Sequence, residues 1–397
     1  QLVNSGLLGL GVRGLAHYGA GVPHPPGCTK IKEAILRTFA KMAAVVMVGA
    51  LALTGCGKTS SEKDNNASGS SSVDVCKGSK GEPKVGVAYD VGGRGDQSFN
   101  DSAYRGLEKA VKDLGASCIE AKATTSDNDS IREQRLQTLA DQGFNPVIAV
   151  GFLYSPAAAK VAKANPNTNF AVIDGYSTTI ATDAKNLSDL VFAENEGSYL
   201  VGVAAALTSK SKHVGFIGGT HGDLIKKFEA GYVAGVKSID PKIKIDIQYL
   251  TEDPSDAATG FENPAGGKQA ATAMYQGGAD VVYHAAGKSG LGLFEAAVAA
   301  GEGKWAIGVD SDQYLTAAKD QQPHILTSML KRIDTAVFEF VTAFKEGKVQ
   351  SGFVNYDLKV DGVGYSTSGG FVDPIKAQID AAADKIKSGE VKVPEKP

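Results

Sequence analysis

Residues 84–114 read KVGVAYDVGGRGDQSFNDSAYRGLEKAVKDL, and this stretch decides the fold. An apolar run at 84–89 gives way to a loop rich in Gly and Asp at 90–101, then to helical periodicity over 102–114. A short apolar run, a glycine turn and an amphipathic segment make the first half of a β–α–β unit. The same order recurs downstream. Strand-like runs at 146–150, 170–174, 189–193, 213–218, 243–250, 280–285, 305–310, 325–330 and 354–360 follow. Between them lie amphipathic stretches at 130–142, 156–164, 196–209, 224–238, 267–276, 290–300, 313–319, 333–345 and 374–387. Several strands are apolar on both faces, as strands are when helices cover both sides of a parallel sheet. The pattern predicts an α/β chain with doubly wound parallel sheets. Two series of units fit two side-by-side domains, the first ending near Ala193. A ligand then binds at the carboxyl ends of the strands, in the crevice between the domains.

That rule directs attention to the residues just after each strand. Asn100 and Asp101 open a helix there, either as its N-cap or as readers of a heterocycle edge. Asp174 and Asp310 each close an apolar run, and a carboxylate so placed can grip vicinal hydroxyls. Lys331 follows another strand and can donate to the same sugar. Phe152, Phe192 and Phe228 lie near strand ends or early in helices, where they serve as core or as flat faces for a ligand ring. Gly93, Gly95 and Asp96 imitate a dinucleotide loop, but Ser98 stands where the third glycine belongs. No nucleophile elbow, Cys–His pair or metal-ligand spacing is present, so neither an enzyme nor a bound cofactor is expected. The formal net charge of −3 and the lack of a basic patch with interleaved aromatics exclude nucleic acid as a partner.

The N-terminal region supplies an address. Lys30, Lys32, Arg37 and Lys41 precede a twelve-residue apolar core at 42–53, which is too short to span a bilayer. Small residues then lead into Cys56 in the run LTGC at 53–56, the cleavage and lipidation pattern of a bacterial lipoprotein. Residues 1–55 are read as leader and 56–83 as a flexible tether. Outside the cytoplasm disulfides persist, so Cys76 and Cys118 either pair and pin the tether to the first domain or stay as free thiols.

Eight motifs in register carry a resemblance. They are DQSFNDSA at 96–103, GF at 151–152, VID at 172–174, VFAENEGSYLVG at 191–202, GFIGG at 215–219, FEAGY at 228–232, AAGKSG at 285–290 and GVDSDQ at 308–313. Together with the lipidation motif they resemble the basic membrane protein family, the substrate-binding lipoproteins of ABC importers of purine nucleoside receptor type. The resemblance implies a two-lobed type I periplasmic-binding-protein fold joined by three crossovers. It implies a monomeric receptor that delivers nucleosides to a membrane permease. Asn100, Asp101 and Asp174 would read the base, Phe152 and Phe228 would sandwich it with Phe99 ranked behind them, and Asp310 and Lys331 would hold the ribose. The N-terminal lobe is expected at 84–193 plus about 314–350, the C-terminal lobe at 194–313 plus about 351–375, and a C-terminal helix and tail at 376–397. Two features depart from the family pattern: a longer segment at 252–266, and Lys288, which would alter ligand charge if it faced the crevice. A receptor for another small polar solute, an extracytoplasmic nucleoside hydrolase, and a surface sensor or adhesin are the alternatives.

Overall fold

The computed structural model describes residues 74–124 and 126–397. The leader, the apolar signal core, Cys56 and tether residues 57–73 lie outside the described residues. Twelve strands are described: β1 (Lys84–Tyr89), β2 (Ser117–Ala121), β3 (Val147–Val150), β4 (Phe170–Ile173), β5 (Leu187–Phe192), β6 (His213–Thr220), β7 (Lys244–Thr251), β8 (Val281–Ala285), β9 (Trp305–Asp310), β10 (Ile325–Lys331), β11 (Gly352–Tyr356) and β12 (Val363–Tyr365). They form two sheets, in the orders β11-β5-β4-β3-β1-β2 and β12-β10-β9-β8-β6-β7. All neighbours run parallel except β10 and β12. The two orders match strand for strand, so β4 and β9 hold equivalent places. β3 and β4 are buried along their whole length, which is why their sequence is apolar on both faces.

The chain passes between the sheets three times: after β5, after β10, and after β11. These crossings correct the expected domain limits. Residues 325–331 pair with β9 and stay in the second sheet, whereas 352–356 pair with β5 and belong to the first. The helix Ile333–Lys345 does return to the first lobe, packing on the helix Phe99–Leu114. In the second lobe the helices Glu194–Thr208 and Asp223–Ile239 pack almost backbone to backbone. A Cβ at Gly231 would stand 2.0 Å from the Asn195 carbonyl oxygen, and one at Gly235 2.1 Å from that of Tyr199. This close approach seats Glu194 and Phe228 near one another at the crevice end.

Local differences from the expected elements have identifiable causes. Residues 313–319 form turns rather than a helix, because Gln313 is buried and its Oε1 accepts from Val309 N at 2.8 Å. The run at 354–360 ends at Tyr356, where Asp357 accepts from Lys359 N and Val360 N and turns the chain. The tether ends earlier than residue 83. Cys76 and Cys118 are joined by a disulfide, Val75 N donates to Tyr104 Oη at 3.3 Å, and Cys118 N donates to Ser79 Oγ at 3.0 Å. Residues 74–83 are therefore fastened to the first lobe. No helix among the described residues is long and apolar enough to cross a membrane.

Candidate functional site

A cleft opens between the carboxyl ends of the two sheets. The first lobe contributes Asp90, Asp96, Phe99, Asn100, Phe152 and Asp174; the second contributes Leu224, Ile225, Phe228, Phe261, Asp310 and Lys331. Asp174 follows β4 and Asp310 closes β9, the equivalent strand. Both adopt left-handed backbone, with φ of 60° and 63°, a conformation Asp tolerates better than most residues. Each is met by the opposite lobe. Lys331 Nζ donates to Asp174 Oδ2 at 2.6 Å, and Ser98 Oγ donates to Asp310 Oδ2.

Lys331 is the electrostatic centre. It is 1 % exposed, so its ammonium has exchanged bulk water for protein partners. Besides Asp174 it pairs with Glu194 Oε1 at 3.0 Å, and Glu194 Oε2 lies 3.5 Å from Lys227 Nζ. The rings of Phe99 and Phe228 each have their centroid 5.4 Å from this ammonium, and that of Phe192 5.0 Å. Burial works against its charge, but Asp174, Glu194 and Asp310 outweigh that and hold its pKa above the ordinary lysine value. Burial pushes Asp310 up to about 7 against the opposing pull of Lys331 and the Ser98 hydrogen bond. Burial likewise raises Asp174 to about 6, with Lys331 opposing and Glu194 reinforcing the shift.

Asp96 and Asn100 form a second polar group. Asp96 accepts from the backbone N–H groups of Ser98, Asn100 and Asp101 and from Asn100 Nδ2, at 2.8–3.1 Å. It thereby satisfies the orphan donors at the start of the helix Phe99–Leu114. Burial, reinforced by Asp101, raises its pKa to about 6 despite these bonds. Asn100 Oδ1 and Asp174 Oδ1 are buried with no protein partner. Such atoms are rare in folded proteins and cost free energy unless a ligand or water completes them.

Six of the seven residues expected at the site line this cleft: Asn100, Phe152, Asp174, Phe228, Asp310 and Lys331. Asp101 does not. Its two carboxylate oxygens accept from Gly95 N and Gln97 N, both at 2.9 Å, so it braces the loop rather than facing a ligand. Phe192 lies behind the cleft, stacked on Tyr356 with centroids 5.1 Å apart. Lys288 is turned toward Glu262 Oε1 at 3.5 Å and is absent from the lining. Sequence reasoning passed over Asp96 and Glu194, and Phe99, which it ranked behind Phe152 and Phe228, lines the cleft with them. Asp96 carried a readable signal, an Asp two residues before a Ser at a helix start, which is an Asx-turn pattern. Glu194 carried none, because its partner Lys331 is remote in the chain.

Comparison with known proteins agrees with this geometry. Residues 83–397 match the family model described as ABC transporter substrate-binding protein PnrA-like. The chain is 34 % identical over 375 residues to the CD4+ T-cell-stimulating antigen of Listeria innocua, covering 91 % of this chain and 99 % of that protein. It is 35 % identical over 369 residues to the ABC transporter nucleoside-binding protein BmpA of Lactococcus lactis, covering 89 % of this chain and 99 % of that one. Among solved structures, an ABC transporter solute-binding protein of Aeropyrum pernix K1 superposes with a TM-score of 0.66 at 28 % identity, over 78 % of this chain and 92 % of that one. Proteins of this family bind solutes outside the cytoplasm for ABC transporters and are not enzymes. The chain belongs to the basic membrane protein family of PnrA-like ABC transporter substrate-binding proteins.

Proposed function

We propose that the cleft binds a purine nucleoside and that the receptor, held to the membrane by a lipid on Cys56, hands it to an ABC permease. The observation that carries this reading is the composition of the cleft. Phe99 and Phe228 reach it from opposite lobes, beside buried acceptors on Asn100, Asp174 and Asp310. A nucleoside combines a flat heterocycle, which needs apolar faces, with hydroxyl and amino donors, which need acceptors. Asn100 and Asp174 are suited to the base edge, and Asp310 with Lys331 to the ribose hydroxyls.

The charge balance favours an uncharged ligand. Asp96, Asp174 and Asp310 line the cleft beside Lys331, which Asp174 and Glu194 already hold, and Asp90 is paired with Arg132 at 3.0 Å. A phosphate would meet carboxylates without a spare cation. The nucleoside-binding name of the Lactococcus relative points the same way. Binding would stabilise the closed arrangement of the lobes, the form a permease would recognise, by population shift rather than chemistry.

Titration calorimetry with adenosine, guanosine, inosine and uridine tests the reading. Heat with the purine nucleosides is expected; none at millimolar concentration of any of them would defeat it. Asp310→Ala should abolish binding, and an unchanged affinity would show that the ribose is held elsewhere.

A further inference from the structure

The chain after β7 does not run straight into its next long helix, Pro264–Gln276. It first doubles back over the end of β6 as the short helix Ala257–Phe261, which sets Ala257 and Phe261 in the cleft wall. The Phe261 ring is wedged in place. A Cβ at Gly219, on β6, would stand 2.4 Å from ring atom Cε1, so the ring rests directly on the strand backbone. On another side, a Cβ at Gly287 would lie 3.5 Å from Phe261 Cβ. Just downstream, Glu262 pairs with Lys288, and Asn263 N donates to Ser289 Oγ at 2.7 Å. Ring and backbone are thus fixed from both directions.

Phe261 also marks one end of the cleft. Its carbonyl oxygen and Asn100 Nδ2 would both lie 3.8 Å from a Cβ at Gly92, so the residue stands against the first-lobe loop, close to Asn100. Lys331 ends β10, three strand spacings from β6, or about 14 Å away. The end of β10 and the Phe261 ring therefore stand on opposite sides of the cleft, with Asn100 on the Phe261 side.

We propose that Phe261 is the stop that sets ligand length, so that the cleft rejects ligands enlarged at the part of the base edge that lies beside Asn100. This inference rests on the nucleoside reading and adds to it a specificity-determining residue. A rigid wall excludes an added group more sharply than a mobile one, because it cannot yield without displacing the β6 backbone contact. If Phe261 only filled space, its truncation would change stability and weaken all ligands alike.

Calorimetry on the full chain with adenosine and N6-benzyladenosine separates these cases, using the wild type, Phe261→Leu and Phe261→Ala. The wild type should prefer adenosine by about a hundredfold or more. The alanine variant should cut that preference by about tenfold, chiefly through tighter binding of the benzyl compound, with leucine between the two. Should the alanine variant fail to fold, the leucine variant carries the test. An unchanged preference in the folded variants, or a wild type that binds both compounds equally, overturns the proposal while leaving the nucleoside reading intact. A wild type that binds neither compound, nor guanosine, removes the nucleoside reading and this inference with it.

Discussion

The two lobes share one strand order and differ in what their loops bring to the cleft. After β1 the first lobe spends residues 90–98 on a polar loop before its helix begins, and with the helix start and the end of β4 it supplies Asp90, Asp96, Asn100 and Asp174. After the equivalent β6, the second lobe needs only residues 221–222 before its helix, and it supplies Leu224, Ile225 and Phe228. Only Asp174 and Asp310 remain alike, at equivalent strand ends with the same left-handed backbone. The sheets act as a common frame, while recognition is written in the connections. A cleft whose first wall carries most of the acceptors and whose second carries most of the apolar surface suits a ligand whose faces and edges differ in chemistry.

Removing the cation that joins the walls should break this arrangement most severely. Lys331→Met leaves Asp174 and Glu194 buried without their shared partner, and should cost about 3–5 kcal/mol in urea denaturation. A loss below about 1 kcal/mol would mean the lobes do not depend on that pair. A smaller effect concerns the equivalent acids. Asp310 is raised from 3.8 to about 7 in the fold, so between those values the folded state holds more protons than the unfolded one. Through Asp310 alone the ligand-free protein should therefore lose about 2–3 kcal/mol of stability between pH 5 and 8, most of it as pH rises to about 7. Asp174 and Asp96 act in the same direction, with raised values of about 6. Asp310→Asn should flatten the upper part of that slope; a variant as pH-dependent as the wild type would assign the titration to another group. Smallest is Asp101→Ala, which removes the two loop contacts at Gly95 and Gln97. It should cost about 1 kcal/mol of stability and leave nucleoside affinity within about twofold, as befits a bracing residue. A large loss of affinity would restore Asp101 as a ligand contact and make the first-lobe wall still more acidic.

Much of the frame was legible because parallel strands covered on both faces leave uninterrupted apolar runs, as at 147–150 and 170–173. β2 was not legible: Ser117, Glu120 and its half-exposed end blur the pattern, as expected of an edge strand. β12 was missed because three residues carry no period. The crossover limits were misplaced for a related reason. β10 and β11 look alike as local sequence, and only their partners, β9 and β5, assign them to different sheets.

The sequence by itself determined the α/β class, the two-lobed plan, the family motifs and the strand-end positions of Asp174, Asp310 and Lys331. Those follow from local periodicity and from residues adjacent in the chain. Tertiary structure alone decided which acid of DQSFNDSA turns inward, that Glu194 shares Lys331 with Asp174, and that Phe261 reaches the cleft. Asp96 and Asp101 are equally polar on paper. Both spend their carboxylates on backbone N–H groups, Asp96 at Ser98, Asn100 and Asp101, and Asp101 at Gly95 and Gln97, but the path of the loop into its helix leaves only Asp96 lining the cleft. Pairings such as Lys331 with Asp174 join groups 157 residues apart, and no local pattern encodes a contact that exists only once two lobes have folded against each other.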